Sequence, residues 1–185
     1  FSTVVSAVEE GRTIYNNILK SITYLLTGNL SELAFVFFTS LLNMPNPFFP
    51  TQILWINLVT DGIPALALAS DNRDVNILSK KPRHPNSPIL SNGRLTFIAT
   101  VGLILSFFLL FIFSTLLENG SSETLARTIV FNALIFSHMV LAFIVRGRLI
   151  FRLNKFLILG VLFTIILQAV ITFNPFFQNI FRLGF

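Results

Sequence analysis

The chain has 185 residues, 54% of them hydrophobic and 11% charged, with 22 Phe, no Cys and a formal net charge of +5. Soluble domains average about 25% charged residues, so these figures, with a mean hydropathy of +0.78, argue against a water-soluble globular fold. They also exclude a disordered chain, which would be poor in apolar and aromatic residues, while the lack of Cys excludes a disulfide framework, a zinc ribbon and a thiol nucleophile.

The first residue is Phe1, and no charged-then-apolar-then-cleavage pattern opens the chain, so a piece of a longer polypeptide is expected. From the start of the chain to Ile22, Val4, Val5, Val8, Ile14, Ile18 and Ile22 fall loosely at helical spacing, with Glu9, Glu10, Arg12 and Lys20 on other faces. This predicts a cytoplasmic amphipathic stalk helix over 1–20 running straight into a transmembrane domain over 21–185. Crossing a bilayer takes about 20 mostly apolar residues, and five segments meet that length: 21–42, 51–69, 95–117, 127–145 and 156–173. The first two are joined by Asn43-Met44-Pro45-Asn46-Pro47, a turn signal that no continuous helix tolerates. Residues 70–93 form the longest hydrophilic stretch, and Pro82, Pro85 and Pro88 make it an extended loop. Glu118 and Glu123 flank Asn119-Gly120 as solvated residues of a short turn, and the apolar run after Lys155 breaks at Asn174-Pro175. The predicted fold class is an all-α membrane protein of about five transmembrane helices behind a stalk helix.

Basic residues orient it. With the amino terminus in the cytoplasm, Arg12, Lys20, Arg73, Lys80, Lys81, Arg83, Arg94, Arg146, Arg148, Arg152 and Lys155 all lie inside, leaving Arg127 and Arg182 outside. The positive-inside rule prefers this arrangement. The run Arg146–Lys155 reads as a topology signal touching anionic lipid, and Trp55 reads as an interfacial anchor. No electrostatic or aromatic platform for nucleic acid is present.

Two acids lie deep in apolar segments, Glu32 and Asp61, where a charge costs on the order of 2.5–3.5 kcal/mol on insertion scales. Asn29 sits three residues before Glu32 and Asn57 four before Asp61, offsets that share one helix stripe, while Thr60 flanks it. Facing helices would then gather two carboxylates, two amide carbonyls and a hydroxyl, the donor mixture of a hard divalent cation. Gly62 and Pro64 loosen the helix beside Asp61, as in the discontinuous helices that transporters use at mid-membrane. The plainer alternative is a pair of protonated acids hydrogen-bonded between helices.

Three motifs carry a resemblance: Glu9–Asn17 (EEGRTIYNN), Leu54–Ala65 (LWINLVTDGIPA) and Lys81–Leu90 (KPRHPNSPIL). In order and spacing they resemble the calcium-transporting P-type ATPases, at the stalk into the fifth helix, the sixth helix, and the loop before the seventh. The likeness spans nearly the whole chain, by motif through Leu90 and by hydropathy afterwards. It implies that Asn29, Glu32, Asn57, Thr60 and Asp61 are metal ligands, and that Arg12 and Tyr15, otherwise a solvated face, belong to the coupling stalk. His138 falls where two-ion pumps carry an eighth-helix Glu, and since an imidazole is a poor calcium ligand the analogy implies one ion per cycle, held through Asn57 and Asp61; a plain core histidine is the other reading.

The implied function is the membrane part, helices five to nine, of an ATP-driven pump exporting calcium, or manganese, from the cytoplasm. ATP and Mg2+ would act only in the complete pump, because the sequence has no Asp-Lys-Thr-Gly phosphorylation motif and no nucleotide-binding domain, and cannot form an aspartyl phosphate alone. The expected partners are the lipid bilayer and the remaining pump domains, in the same or a separate chain, with no nucleic acid. The expected location is multi-pass in a bacterial plasma membrane. A non-catalytic remnant or split-gene membrane subunit is the alternative. An independent channel is disfavoured, since the later spans offer no continuous polar stripe.

Overall fold

Helix α1, Ser2–Leu41, is a single helix of 40 residues. At 1.5 Å per residue it is about 60 Å long, roughly twice a bilayer's ~30 Å hydrocarbon core, so half of it must project beyond the membrane. That projecting half is the expected stalk, and its Val4, Val5, Val8, Ile14 and Ile18 are exposed. The computed structural model describes residues 2–72, 77–79, 88–147 and 154–184.

Asn43 ends α1 with a left-handed φ of 53°, and the Met44 N–H returns to Thr39 O at 2.9 Å, a closure that uses up a terminal carbonyl. Helix α2, Pro50–Trp55, starts on a proline whose missing N–H costs nothing there. It continues through a π-helical turn, Ile56–Thr60, and past Asp61 into α3, Gly62–Ala69. The remaining helices are α4, Asn92–Glu118; α5, Glu123–Arg146; α6, Lys155–Phe173; and α7, Pro175–Phe181. Each of the last three is opened by a polar cap, Ser122, Asn154 and Asn174, whose side chain accepts backbone N–H groups. Asn174-Pro175 thus restarts a helix at the predicted break.

Five helical stretches are long and apolar enough to cross a membrane: Thr3–Leu41, Pro50–Ala69, Asn92–Glu118, Glu123–Arg146 and Lys155–Phe173. They correspond to the five expected spans, and no strand occurs among the described residues. Close approach is set by small residues, as membrane helices require. A Cβ on Gly102 would lie 3.0 Å from the Leu30 side chain, and one on Gly160 3.0 Å from Ile63.

The core is split into two apolar layers. One is built on Phe35, Ile56, Leu109, Phe113, Phe131 and Leu134, the other on Tyr24, Ala65, Leu68, Met139, Leu157 and Val161. Between them, α1 passes through residues 28–32, the broken helix through 60–61 and α5 through 138. A polar layer is therefore sealed from both ends. Of the hydrophilic loop, residues 73–76 and 80–87, with Arg73, Lys80, Lys81, Pro82, Arg83 and Pro85, lie outside the described residues, as do Arg148 and Arg152.

A candidate cation site of two carboxylates and an imidazole

The polar layer is built from three helices. Helix α1 supplies Glu32, 9% exposed; the π-helical turn supplies Thr60, fully buried, and the residue after it is Asp61, 1% exposed; α5 supplies His138, fully buried. The turn owes its form to one bond made and one missing. The Asp61 N–H reaches back five residues to Ile56 O at 2.8 Å, and Pro64 has no N–H to give to Thr60 O. π-Bulges of this kind gather at functional sites. The Tyr24 hydroxyl stands at the break, 3.4 Å from Thr60 O and 3.3 Å from Asp61 Oδ1.

His138 Nδ1 lies 2.8 Å from Asp61 Oδ1 and 3.9 Å from Glu32 Oε1. Its Nε2 is 3.3 Å from Ser31 Oγ, whose hydroxyl donates to Gly28 O at 2.8 Å. One donor atom each from Glu32, Asp61 and His138 falls within 4.8 Å of the others, the only such group of metal-binding side chains found among the described residues. Glu32 Oε1, Asp61 Oδ2 and Thr60 Oγ1 are buried without a hydrogen-bond partner. Each such atom costs roughly 1–3 kcal/mol in lost solvation, and a bound cation would satisfy acidic oxygens held this way.

The predicted ligands divide. Glu32, Thr60 and Asp61 are brought together with His138, whereas Asn29 and Asn57 lie on exposed faces, the Asn57 amide donating back to Ile53 O at 2.9 Å. Asn57 was expected to share a stripe with Asp61, and Thr60 to sit off it. In the structure Thr60 is buried with Asp61 at the end of the π turn, and Asn57 is exposed. Sequence reading missed Tyr24, Ser31 and Gly28. The available signal was the run Asn17, Ser21, Tyr24, Gly28, Ser31, polar or small residues spaced three and four apart on one face of α1.

That same face grips the cytoplasmic half of the broken helix. Ser21 Oγ donates to Ala65 O at 2.7 Å and Asn17 donates to Asp71 O. The buried Asp71 carboxylate pairs with Lys20 Nζ at 2.8 Å and with Arg146 Nε, from the end of α5, at 3.3 Å. Arg12, expected on a solvated face, is half-buried and donates to Ile77 O at 3.1 Å because the chain after α3 packs back on the stalk. Tyr15 is half-buried as well.

The other half is held elsewhere. Gln52 donates to Phe181 O at 2.9 Å. Trp55, expected as an interfacial anchor, gives its indole N–H to Gln168 Oε1 at 3.0 Å and packs edge-on to Phe181. Gln168 Nε2 in turn donates to Asn132 Oδ1, which orients its own Oε1 as the acceptor for the indole. In the short turn, Glu123 is the first residue of α5 and pairs with Arg127 at 2.8 Å.

Residues 45–184 match the family model described as cation transporting ATPase, C-terminus. The chain is 38% identical to the "Calcium-transporting ATPase" of Bacillus subtilis, over 98% of this chain and 21% of that protein. It is 36% identical to the "Calcium-transporting ATPase 1" of Bacillus cereus, over 98% of this chain and 23% of that protein. The chain therefore spans about a fifth of the length of the curated relatives it matches.

Proposed function

The chain belongs to the cation-transporting ATPases, as their carboxyl-terminal membrane region, and on that premise we propose that it carries part of the ion path of an ATP-driven pump exporting calcium or manganese from the cytoplasm. The observation that carries this reading is the sealed layer of Glu32, Asp61 and His138, with open acidic oxygens, beside a helix broken at mid-depth. Buried ionisable groups of this kind in a membrane mark ion pathways, and broken helices let the backbone join them.

Each residue then has a task. Glu32, Thr60 and Asp61 supply oxygen to the ion, one ion per cycle. Asn29 and Asn57, on the exposed faces of the same helices, would meet the ion path only where the rest of the pump packs against them. The stripe Asn17, Ser21 and Tyr24 ties α3 to the stalk, so a push on the stalk from a phosphorylated domain moves the half-helix that follows Asp61. The π turn absorbs the displacement, because its outer half stays fixed to Gln168 and Phe181. Phosphorylation itself belongs to parts of the pump with the aspartyl-phosphate motif, and the calcium named for the Bacillus relatives is the first ion to test.

The decisive experiment is Asp61→Asn in the full-length polypeptide that carries this chain. Ion-dependent phosphorylation by ATP should disappear. Retention of normal calcium and manganese affinity would overturn the assignment.

A further inference from the structure

We propose that Arg182 and Arg127 bind the phosphate of an anionic phospholipid at the membrane face opposite the stalk, with its acyl chains along the outward side of α7. The inference goes beyond the pump reading and holds whichever ion is carried.

Two guanidinium groups meet at one ring. Arg127 Cζ lies 5.0 Å and Arg182 Cζ 4.8 Å from the centroid of Phe49, the residue that leads into α2. The ring attracts each cation but cannot neutralise either. Arg127 is pinned, its Nε donating to Asn46 O at 2.7 Å and its charge shared with Glu123 at 2.8 Å. Arg182 is exposed and finds no carboxylate or hydrogen-bond acceptor among the described residues. The pair therefore keeps a net positive charge and open N–H donors, in the planar fork that matches phosphate. The backbone gives this side chain further weight. Arg182 closes α7 in the left-handed region, at φ 51° and ψ 47°, where Gly or Asn is the usual residue. A strained position occupied by a charged side chain points to a use for that side chain.

Position selects a lipid over a free anion. Helix α7 starts where α6 ends, and just past its own end the Gly184 N–H donates to Thr128 Oγ1 at 3.0 Å, near the start of α5. It therefore runs across one face of the bundle rather than through it. Phe177 and Phe181 turn into the core, whereas Phe176 and Ile180, with Phe173 just before them, are 67%, 45% and 72% exposed. That is the amphipathic arrangement of an interfacial helix. Its apolar side ends two residues from Arg182, so a single molecule with an acyl chain and a phosphate satisfies both features, and inorganic phosphate satisfies only one.

The test uses the full-length polypeptide that carries this chain, in detergent, titrated separately with phosphatidylglycerol, phosphatidylcholine and inorganic phosphate. Native mass spectrometry reads the bound lipid, and the thermal midpoint reads its effect. Phosphatidylglycerol should bind more tightly than phosphatidylcholine and raise the midpoint, and inorganic phosphate should not raise it. Arg182→Gly removes the cation and suits the left-handed backbone, so its midpoint without lipid should not fall. Its affinity for phosphatidylglycerol should fall about 5-fold, the effect of one arginine at a charged membrane surface. Unchanged phosphatidylglycerol affinity in Arg182→Gly overturns the inference, as does equal binding of the two lipids by the unaltered protein. A midpoint raised as much by inorganic phosphate would make this a free-anion site and overturn the lipid assignment. Should Arg182→Gly fail to fold, Arg182→Gln decides by the same titration. None of these readings depends on phosphorylation, so the pump reading stands or falls separately.

Discussion

Gly28 and His138 are fitted to one another across the α1–α5 interface. A Cβ built on Gly28 would lie 3.0 Å from His138 Cε1 and 3.4 Å from each ring nitrogen. The ring cannot step aside freely, since it is fully buried and both nitrogens are engaged. Gly28→Ala should therefore displace the imidazole from Asp61 while leaving the helix intact, Ala being the better helix former. A misplacement near 1 Å in a positioned group can cost about 100-fold in rate. Ion-dependent phosphorylation should fall by about 10- to 100-fold, with circular dichroism unchanged. Full activity in Gly28→Ala would show that the ring's position is immaterial.

The cytoplasmic clamp makes a prediction about stability. Asp71 is the common partner of Lys20 and Arg146, from two different helices, and its side chain is fully buried. Removing one member of a buried ion pair costs about 3–5 kcal/mol, and the partial exposure of Lys20 puts the expected loss near the lower end. Asp71→Asn should lower the thermal midpoint of the purified protein in detergent by several degrees. Adding Arg146→Gln should recover part of the loss, since one fewer cation is then left without its carboxylate. A double variant no more stable than the single one would count against the clamp.

The spans could be read from sequence because lipid enforces a simple rule: each crossing needs a long run free of charge, and Arg94, Glu118, Arg127, Arg146 and Lys155 bracket those runs. The two acids stood out for the same reason. What sequence did not show is register. Asp61-Gly62-Ile63-Pro64 announced a break, but the break took the form of a π turn over Ile56–Thr60, with Thr60 buried and Asn57 exposed. Asp71 falls within the stretch read only as an extended loop, and its partners are 51 and 75 positions away. His138 entered through family resemblance alone; nothing local in Phe136-Ser137-His138 tells a ligand from a core histidine, and its place beside Asp61 comes only from the fold.

Trp55 provides a spectroscopic reading of the outer half of the broken helix, since it is the chain's only tryptophan. Its indole N–H is bonded to Gln168 Oε1, and Gln168 Nε2 to Asn132 Oδ1. Gln168→Leu should shift Trp55 emission to shorter wavelength, as the indole loses its polar partner in an apolar setting. Bonds of this kind between membrane helices average about 0.6 kcal/mol and reach about 1.7, so a small fall in thermal midpoint should accompany the shift. An unchanged spectrum would return Trp55 to the interfacial role first read from its position.

Orientation can be tested because the chain contains no cysteine of its own. If the positive-inside reading holds, the stalk and the loop around Arg94 are cytoplasmic, and the turn between α4 and α5 is outside. Ser6 and Asn119 are both exposed, at the stalk and in that turn respectively, so a cysteine at either should react with a maleimide. In a cysteine-free background, Asn119→Cys should be labelled in intact cells by a membrane-impermeant maleimide, and Ser6→Cys only after permeabilisation. The opposite pattern would place the stalk outside. It would then be separated from any cytoplasmic phosphorylation domain, and the link from Asn17, Ser21 and Tyr24 to Asp61 could not transmit ATP-driven motion from the cytoplasm.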